Sequence, residues 1–374
     1  MVTTADVRPS SSILDRATGW FGVGSWRLLL AGFVAASHLW SRMVQGPAAY
    51  AVWGFYVLSG YLMTYVLIEK YGFSAKGIRN YAFNRFLRIY PGYWIAVMIG
   101  VVVITVVTSR GIDPTALNPE FYLPQGWYWL NPLTLFPLFP HSGLPVAVSS
   151  ALAIEIGAYL LMPLLAKARA AAWMTAITAL LAALALGFGL DSFAVRYATL
   201  LPCLLPFAVG ALLCHYRSTL LRFVAPRTSL VVWLVHAVLW WQFPYWPWTY
   251  GLYSSMVLSA WVTLSLTARR SGRADTLFGD LSYPVYLLHT AVGACFLGIW
   301  GYDRPFRFFA LSMAVTLVAS WLLMTFVERP LYRLKRPAAR REPSADVGAS
   351  DPAPDLVPSP AGTITASEAD SRTS

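Results

Sequence analysis

Charged residues are scarce in this sequence of 374 residues: Asp, Glu, Lys and Arg make up 12% of it, whereas 57% is hydrophobic. Soluble domains carry about twice that share of charge. A soluble protein of this size could not bury so much apolar surface and stay dispersed. The composition therefore excludes a soluble globular protein and predicts an all-α polytopic membrane protein.

Cysteine and histidine are also rare, with three and five residues respectively. All three cysteines fall in apolar segments, where we expect small buried side chains and not a disulfide. Three of the histidines have no metal-ligand spacing, and we predict no metal site. The residues in question are Cys203, Cys214, Cys295, His141, His215 and His236.

Long apolar runs, in contrast, are abundant. Ten of them approach the roughly 20-residue length that spans a hydrocarbon core, and they predict about ten transmembrane helices. The seventh and eighth runs are joined by "QFPYWPWTYG" and have the alternative of forming a re-entrant pair. The ten runs lie at about 21–41, 48–68, 91–108, 146–166, 171–190, 197–215, 229–243, 250–267, 279–299 and 308–328.

Basic residues are distributed unevenly between the two sides of this arrangement. With both termini in the cytoplasm, all but five of the 28 Lys and Arg residues lie on the cytoplasmic side, as the positive-inside rule requires. The net charge of +11 is therefore a signal of topology and gives no reason to expect nucleic-acid binding. The five on the outer side are Arg42, Arg110, Arg196, Arg304 and Arg307.

The chain divides into three parts by composition. Residues 1–20 lack an apolar core with a small-residue cleavage site, so we expect a cytoplasmic segment and no signal peptide. Residues 21–335 form one transmembrane domain. Residues 342–374 are rich in Pro, Ala, Ser and Asp, and we expect a disordered cytoplasmic tail. The longest outer loop, 109–145, contains seven prolines, which argues against a regular helix there.

Three ionisable residues stand out in the apolar runs. Arg27 and His38 are eleven residues apart, so a helix places both on one face, about 16 Å apart along its axis. Glu155 is the one carboxylate well inside a run. Ionisable groups in a membrane are costly and mark functional sites. The alternatives are an interfacial anchor for Arg27 and interhelical hydrogen bonds for His38 and Glu155.

A pair of arginines precedes the third run. Arg85 and Arg88, in "RNYAFNRFLRIYPGYW", are three residues apart and are neighbours on a helix. We expect Pro91 to begin the helix of the third run. Two guanidinium groups side by side suit a phosphate-rich ligand, and anionic lipid headgroups are the alternative ligand.

Short motifs recur in order along residues 25–335. They resemble those of the acyltransferase-3 family of integral membrane O-acyltransferases. One departure is that Ser150 and Ala151 stand where the family pattern has Trp-Ser. The motifs are Arg27-x10-His38, "FYVLSGYLM" at 55–63, "RFLRIYPGYW" at 85–94, "LAIEIGAYLLMP" at 152–163, "LSYPVYLLH" at 281–289 and "VERPLYRL" at 327–334.

The resemblance implies transfer of an acyl group from acyl-CoA, with acetyl-CoA as the expected donor and no bound cofactor. The expected acceptor is a hydroxyl of an envelope glycan or glycolipid, such as lipopolysaccharide or exopolysaccharide, at the bacterial cytoplasmic membrane. Arg27, Arg85 and Arg88 are expected to bind the phosphates of the donor. We expect His38 to act as general base on the acceptor hydroxyl, with Glu155 orienting it or balancing its positive charge.

Seven further residues are expected to line the substrate channel or to support it. The serine and glycine of the second run favour close helix approach over nucleophilic chemistry, so no acyl-serine intermediate is expected. Three residues of the ninth run share one helical face by their spacing of four and three. The seven are Ser59, Gly60, Tyr61, Tyr159, Ser282, Tyr286 and His289.

Two alternatives remain open. Within the same class of enzyme, the acceptor is a small glycosylated metabolite such as a macrolide. In another class, the chain is a glycolipid transporter or flippase in which His38 and Glu155 relay protons. The absence of an internal repeat and the arginine pair disfavour a transporter. No extracytoplasmic domain follows the last run, so we expect the membrane domain or a separate extracytoplasmic partner to complete the transfer.

Overall fold

The computed structural model describes residues 21–44, 47–136, 138–139, 142–186, 199–242, 248–269 and 271–337. The predicted terminal segments, 1–20 and 342–374, lie outside these residues, as does His141. Within them every regular element is a helix, which confirms the all-α prediction.

The described residues form thirteen α-helices, α1 to α13 in chain order. Ten of them have 16 residues or more and lie over the ten apolar runs, whereas α4, α8 and α13 have only four or five residues. Short π-helical turns extend α2 (Leu67–Tyr71) and join α12 to α13 (Met324–Glu328). The helices are α1 (Val23–Leu39), α2 (Ala48–Val66), α3 (Ala75–Ser109), α4 (Leu130–Thr134), α5 (Ser149–Lys167), α6 (Arg169–Leu186), α7 (Leu200–His215), α8 (Arg217–Leu220), α9 (Pro226–Gln242), α10 (Trp248–Thr267), α11 (Arg273–Trp300), α12 (Phe306–Leu323) and α13 (Arg329–Tyr332).

Among the described helices, five are long and apolar enough to cross a membrane: α2 with its π-helical turn, α3, α5, α11, and α12 continued through α13. A sixth is formed if α7 and the segment Arg217–Phe223, which are bent by 82° at their junction, make one span. Apolar side chains face outward on these helices. Val102, Leu160 and Val318, for example, are 62%, 69% and 61% exposed, as suits contact with lipid.

Helix α3 is longer than the sequence predicts. It begins at Ala75, where the Ser74 hydroxyl accepts a hydrogen bond from the backbone N–H of Gly77 at 3.1 Å. Pro91 lies inside the helix, so the prediction that this proline begins the helix is wrong. The N-terminal half is rich in helix-forming residues and has its own cap, which explains the earlier start. The arginine pair and the apolar segment therefore lie on one continuous helix.

The loop between α3 and α5 contains only short helical turns among its described residues, as its prolines predict. The loop does not stay beyond the C-terminal end of α3. The carbonyl oxygen of Leu133 accepts from Trp94 Nε1 at 3.1 Å, and that of Thr134 accepts from Tyr90 OH at 3.0 Å. These aromatic residues lie about 25 Å from the C-terminal end of α3 at 1.5 Å per residue. The loop therefore folds back along α3, and the helix satisfies its carbonyl groups.

Small residues set the closest helix crossings. A Cβ on Gly60 would lie 2.2 Å from the carbonyl oxygen of Phe207, and one on Gly210 would lie 2.1 Å from that of Val57. Helices α2 and α7 therefore touch through their backbones at Gly60, the close approach expected there. A large apolar core surrounds this crossing. A smaller cluster, which includes Leu39, Leu117, Ala147 and Phe308, covers the C-terminal end of α1.

Candidate active site

An internal cavity of about 130 Å³ lies between α1, α2, α3, α5 and α11. Five helices contribute to its wall, so residues far apart in the sequence meet there. It combines three guanidinium groups with one carboxylate among apolar and aromatic side chains. The cavity-lining residues that the sequence singled out are Arg27, Ser59, Arg85, Arg88, Glu155, Tyr159, Ser282 and Tyr286.

Arg27 is placed by an unusual start to α1. The buried carboxylate of Asp275, on α11, accepts hydrogen bonds from the backbone N–H groups of Gly22, Gly24 and Ser25 at 2.9, 3.2 and 2.7 Å. It also accepts from the Ser25 hydroxyl at 2.8 Å. A helix leaves its first N–H groups without partners, and a carboxylate is the favoured group at this end. Asp275 therefore fixes the beginning of α1, one turn before Arg27.

The same region of α1 is pressed against α11. A Cβ on Gly24 would lie 1.7 Å from the carbonyl oxygen of Asp275, and one on Gly279 would lie 3.0 Å from the Cα of Gly24. Two backbones in contact allow no side chain between them. This crossing holds Arg27 beside the cavity-lining face of α11.

Glu155 is the centre of a small hydrogen-bond network in the cavity. One of its carboxylate oxygens accepts from the Ser59 hydroxyl at 2.9 Å and also from the hydroxyl of Tyr159. Ser59 thus binds the carboxylate from α2, and Tyr159 binds it from the next turn of α5. The two hydroxyl donors hold the carboxylate in place between α2 and α5.

Arg88 is paired with a carboxylate that the sequence did not single out. Its Nη1 lies 3.5 Å from Glu328 Oε2, and the side chain of Glu328 is 3% exposed. The hydroxyl of Tyr332 donates to the same oxygen at 3.2 Å, whereas Oε1 is buried without a hydrogen-bond partner among the described residues. Glu328 ends the second π-helical turn, a feature that is frequent at functional sites.

The guanidinium group of Arg85 has fewer partners among the described residues than that of Arg88. Its Nε is buried and has no hydrogen-bond partner among the described residues, and its guanidinium lies 5.9 Å from the ring centroid of Tyr81. An unpaired buried donor is costly and favours a ligand that can accept from it. The arginine side of the cavity therefore has donor capacity that the protein itself does not satisfy.

His38 lies outside this cavity, at the C-terminal end of α1, where it meets a second histidine. The rings of His38 and His289 have centroids 5.4 Å apart. His38 Nδ1 lies 2.9 Å from the carbonyl oxygen of Leu117, and His289 Nδ1 lies 3.1 Å from that of Val285. A carbonyl oxygen can only accept, so each Nδ1 carries a proton, and in the neutral form of each ring the lone pair is on Nε2.

The expectation that Glu155 orients His38 is wrong. Glu155 is bound to Ser59 and Tyr159, and the group that holds Nδ1 of His38 is the carbonyl of Leu117. The loop between α3 and α5 therefore orients the ring of His38, a role that we expected of a carboxylate. A backbone carbonyl fixes the tautomer as a carboxylate would, without adding charge.

Arg304 fixes the backbone at the same end of α1. Its Nη1 donates to the carbonyl oxygen of His38 at 2.7 Å, and its own carbonyl oxygen accepts from the N–H of Ser41 at 3.0 Å. Arg304 adopts a positive φ of 42°, which is uncommon for a residue with a side chain. Such strain persists where surrounding contacts determine the conformation, and functional sites are enriched in it.

Tyr286 connects the cavity with the histidine pair. It lines the cavity, its ring centroid lies 6.4 Å from that of His289, and its hydroxyl donates to the carbonyl oxygen of Val148 at 3.1 Å. Ser282, one turn earlier, donates to its own helix at Gly279. The shared face predicted for α11 thus runs from the cavity to His289.

The remaining expected residues serve helix packing. Gly60 lies at the α2–α7 crossing, and Tyr61 is buried beside it. No group of three His, Cys, Asp or Glu side chains in the described part of the chain is arranged to hold a metal ion.

Sequence reasoning missed Asp275, Glu328 and Arg304. Glu328 carried a usable signal, because it stands at the end of an apolar run and inside the motif "VERPLYRL". Asp275 looks like an ordinary acidic residue in the first turn of its own helix, yet it caps a different helix. Arg304 looks like a residue of a short loop. No local pattern marks the last two.

These features define a helical membrane protein with a cation-lined cavity and a neighbouring pair of histidines. The family model described as an acyltransferase domain, that of the acyltransferase-3 family, matches residues 20–325. The chain therefore belongs to the acyltransferase-3 family and is a membrane acyltransferase. Comparisons with curated proteins and with solved structures give no match.

Proposed function

We propose that this protein transfers an acetyl group from acetyl-CoA to a hydroxyl of an envelope glycan or glycolipid in the bacterial cytoplasmic membrane. The observation that carries the proposal is the meeting of Arg27, Arg85 and Arg88 at one cavity of a membrane acyltransferase. A site with three guanidinium groups suits a donor whose head bears several phosphates.

The donor fits the cavity in two parts. Arg85 and Arg88 take the phosphates at its mouth, since Arg85 offers an unpaired Nε and Arg88 has a single carboxylate partner. The thin apolar arm of the donor extends between the helices, along walls that include Val52, Phe55 and Leu58. Tyr286 then leads from the cavity towards the histidines.

The histidine pair supplies the proton chemistry. Nε2 of His38 accepts the proton of the acceptor hydroxyl while the oxygen of that hydroxyl attacks the thioester carbonyl carbon. The carbon–sulfur bond breaks, the acyl group remains on the acceptor oxygen, and the thiolate of coenzyme A takes up the proton that His38 accepted. The Leu117 carbonyl supports this role because it keeps the proton of the neutral ring on Nδ1.

The topology of the proposal has ten spans and both termini in the cytoplasm. In the described part of the chain, ten helices of 16 residues or more lie over the ten apolar runs, and the Lys and Arg distribution favours this orientation. It puts the three arginines at the cytoplasmic end, where acetyl-CoA is made, and His38 towards the opposite side. Eleven residues of α1, about 16 Å, separate Arg27 from His38.

The acceptor enters from the side of the histidines. A glycan or glycolipid held at the outer surface reaches His38 without crossing the bilayer, and membrane lipids surround the helices. A separate extracytoplasmic partner that carries the acyl group onward is compatible with this arrangement.

A mass comparison of surface glycans and glycolipids tests the proposal. Cells that express the natural sequence or His38→Ala at matched levels are compared. Cells that do not express the protein give the background. We expect one sugar-containing fragment to gain the mass of an acetyl group in place of a hydrogen. This gain should occur only in cells that express the natural sequence. Equal acetylation by His38→Ala would remove His38 as the base. No acyl gain in any glycan would contradict the acceptor class.

A further inference from the structure

The segment that follows the last helix, 333–337, lies against the N-terminal half of α3; we call it the strap. Asn84 bonds both backbone groups of Arg336, since its Oδ1 accepts from the N–H and its Nδ2 donates to the carbonyl oxygen, each at 2.9 Å. Asn80 Nδ2 donates to the carbonyl oxygen of Pro337 at 3.1 Å. Side-chain amides of α3 thus fix the strap to the helix that carries the arginine pair.

The strap brings a lysine close to Arg88, which lines the cavity. Lys335 Nζ lies 3.7 Å from the ring centroid of Tyr332, and Arg88 Cζ lies 5.5 Å from the same centroid. The hydroxyl of Tyr332 binds Glu328, the ion-pair partner of Arg88. Within the described residues, Lys335 itself has no carboxylate at ion-pair distance. The ring of Tyr332 therefore contacts two cations, and among the described residues only Arg88 has a carboxylate partner.

We propose that Lys335 is a phosphate-binding residue of the donor site, which joins Arg85 and Arg88 in holding the head of coenzyme A. The inference rests on the proposed function, because it takes acyl-CoA as the donor. A cluster of like charges is unfavourable when empty and is stabilised by an anionic ligand. Its position on a fixed strap, and not on a free tail, keeps the ammonium near the arginines before the ligand arrives.

The electrostatics of the empty site support this role. Desolvation, together with the charges of Arg88 and Arg85, lowers the pKa of Lys335 to about 8. Below that pH the ammonium is charged and binds phosphate, and above it the charge is lost. The phosphate groups are already ionised in this range, since their second pKa is about 6. The charged or titratable groups that face Lys335 are Arg85, Arg88, Asp280, Glu328 and Tyr332.

The test is equilibrium binding of coenzyme A to the full chain in detergent, with pantetheine, which lacks the phosphates, as a second probe. Lys335→Met is compared with Lys335→Arg and with Lys76→Met, a change at an exposed lysine near the start of α3. We expect Lys335→Met to weaken coenzyme A binding roughly tenfold, with pantetheine binding unchanged. Lys335→Arg and Lys76→Met should bind coenzyme A as the natural sequence does.

The pH dependence separates charge from shape. In the natural sequence, coenzyme A binding should weaken as the pH rises through about 8, and Lys335→Arg should not show this loss because arginine stays protonated. Unchanged coenzyme A binding by Lys335→Met would overturn the role of Lys335 and leave the proposed function standing. Absence of coenzyme A binding by the natural sequence would overturn both.

Discussion

The two ends of α1 have opposite chemical character. At the Arg27 end, a cavity combines three guanidinium groups with the carboxylate of Glu155, and Arg88 forms an ion pair with Glu328. At the His38 end, two imidazole rings are held by the backbone carbonyl groups of Leu117 and Val285. One helix therefore joins a region governed by charge to a region governed by hydrogen-bond direction.

The difference shows how one membrane domain divides binding from proton transfer. A phosphate-rich ligand requires fixed positive charge, and the protein offsets that charge with Glu328 and Glu155. A general base requires a neutral ring with a free lone pair, and an ion pair would hold the ring in its charged form. Carbonyl partners meet the second requirement, because they select a tautomer without favouring the imidazolium as strongly as a carboxylate does.

The largest effect is expected from removing the base. His38→Ala should lower the turnover rate by about 10²- to 10⁴-fold, the usual contribution of general base catalysis. The assay is acetyl transfer from labelled acetyl-CoA in membranes at saturating donor. His236→Gln is the control, because His236 bonds Ser254 at a distance from the pair. Full turnover by His38→Ala would contradict the account of this end of α1.

Loss of one guanidinium should be the next largest effect. Arg85→Met or Arg88→Met removes charged donors to phosphate, so the KM for acetyl-CoA should rise by roughly 10- to 100-fold with a smaller change in kcat. Arg79→Met, an exposed change on the same helix, should leave both constants unaltered. An effect on kcat alone would place these arginines in the chemistry and not in donor binding.

A change at the start of α1 should act on stability. Asp275→Asn removes the charge and turns an amide group towards the N–H of Gly24, so the free energy of unfolding should fall by about 1–3 kcal/mol. The midpoint of thermal unfolding in detergent reports the loss. Asp113→Asn is the matched control, since that side chain caps an exposed turn at Thr115. Equal shifts in the two variants would show that burial of Asp275 adds nothing.

The smallest effect is expected between the two regions. Tyr286→Phe keeps the ring and removes the hydrogen bond to Val148, a contribution of about 0.5–1.5 kcal/mol. Turnover should fall by less than about tenfold, and coenzyme A binding should not change. A loss as large as that of His38→Ala would make the Tyr286 hydroxyl a participant in the reaction.

The sequence predicted the helices and the pairing of Arg85 with Arg88 because both depend on regular spacing. Apolar runs located the ten long helices, and the separation of Arg85 from Arg88 placed both on one face. The ordered motifs contain residues from five helices, and these residues line the cavity together.

The histidine region was less predictable, because its partners are backbone groups of loops. Nothing in the side chain of Leu117 reveals that its carbonyl oxygen binds His38. The return of the loop along α3 depends on tertiary contacts with Tyr90 and Trp94. Pro91 was misjudged for a related reason: a helix already capped at Ser74 continues through a proline that neighbouring helices support.

The most direct test of the division between the two ends of α1 is the dissociation constant of coenzyme A in His38→Ala and Arg88→Met. We expect His38→Ala to bind coenzyme A within about twofold of the natural sequence and Arg88→Met to bind it at least about tenfold more weakly. Comparable weakening in both variants would contradict the separation of donor binding from proton transfer.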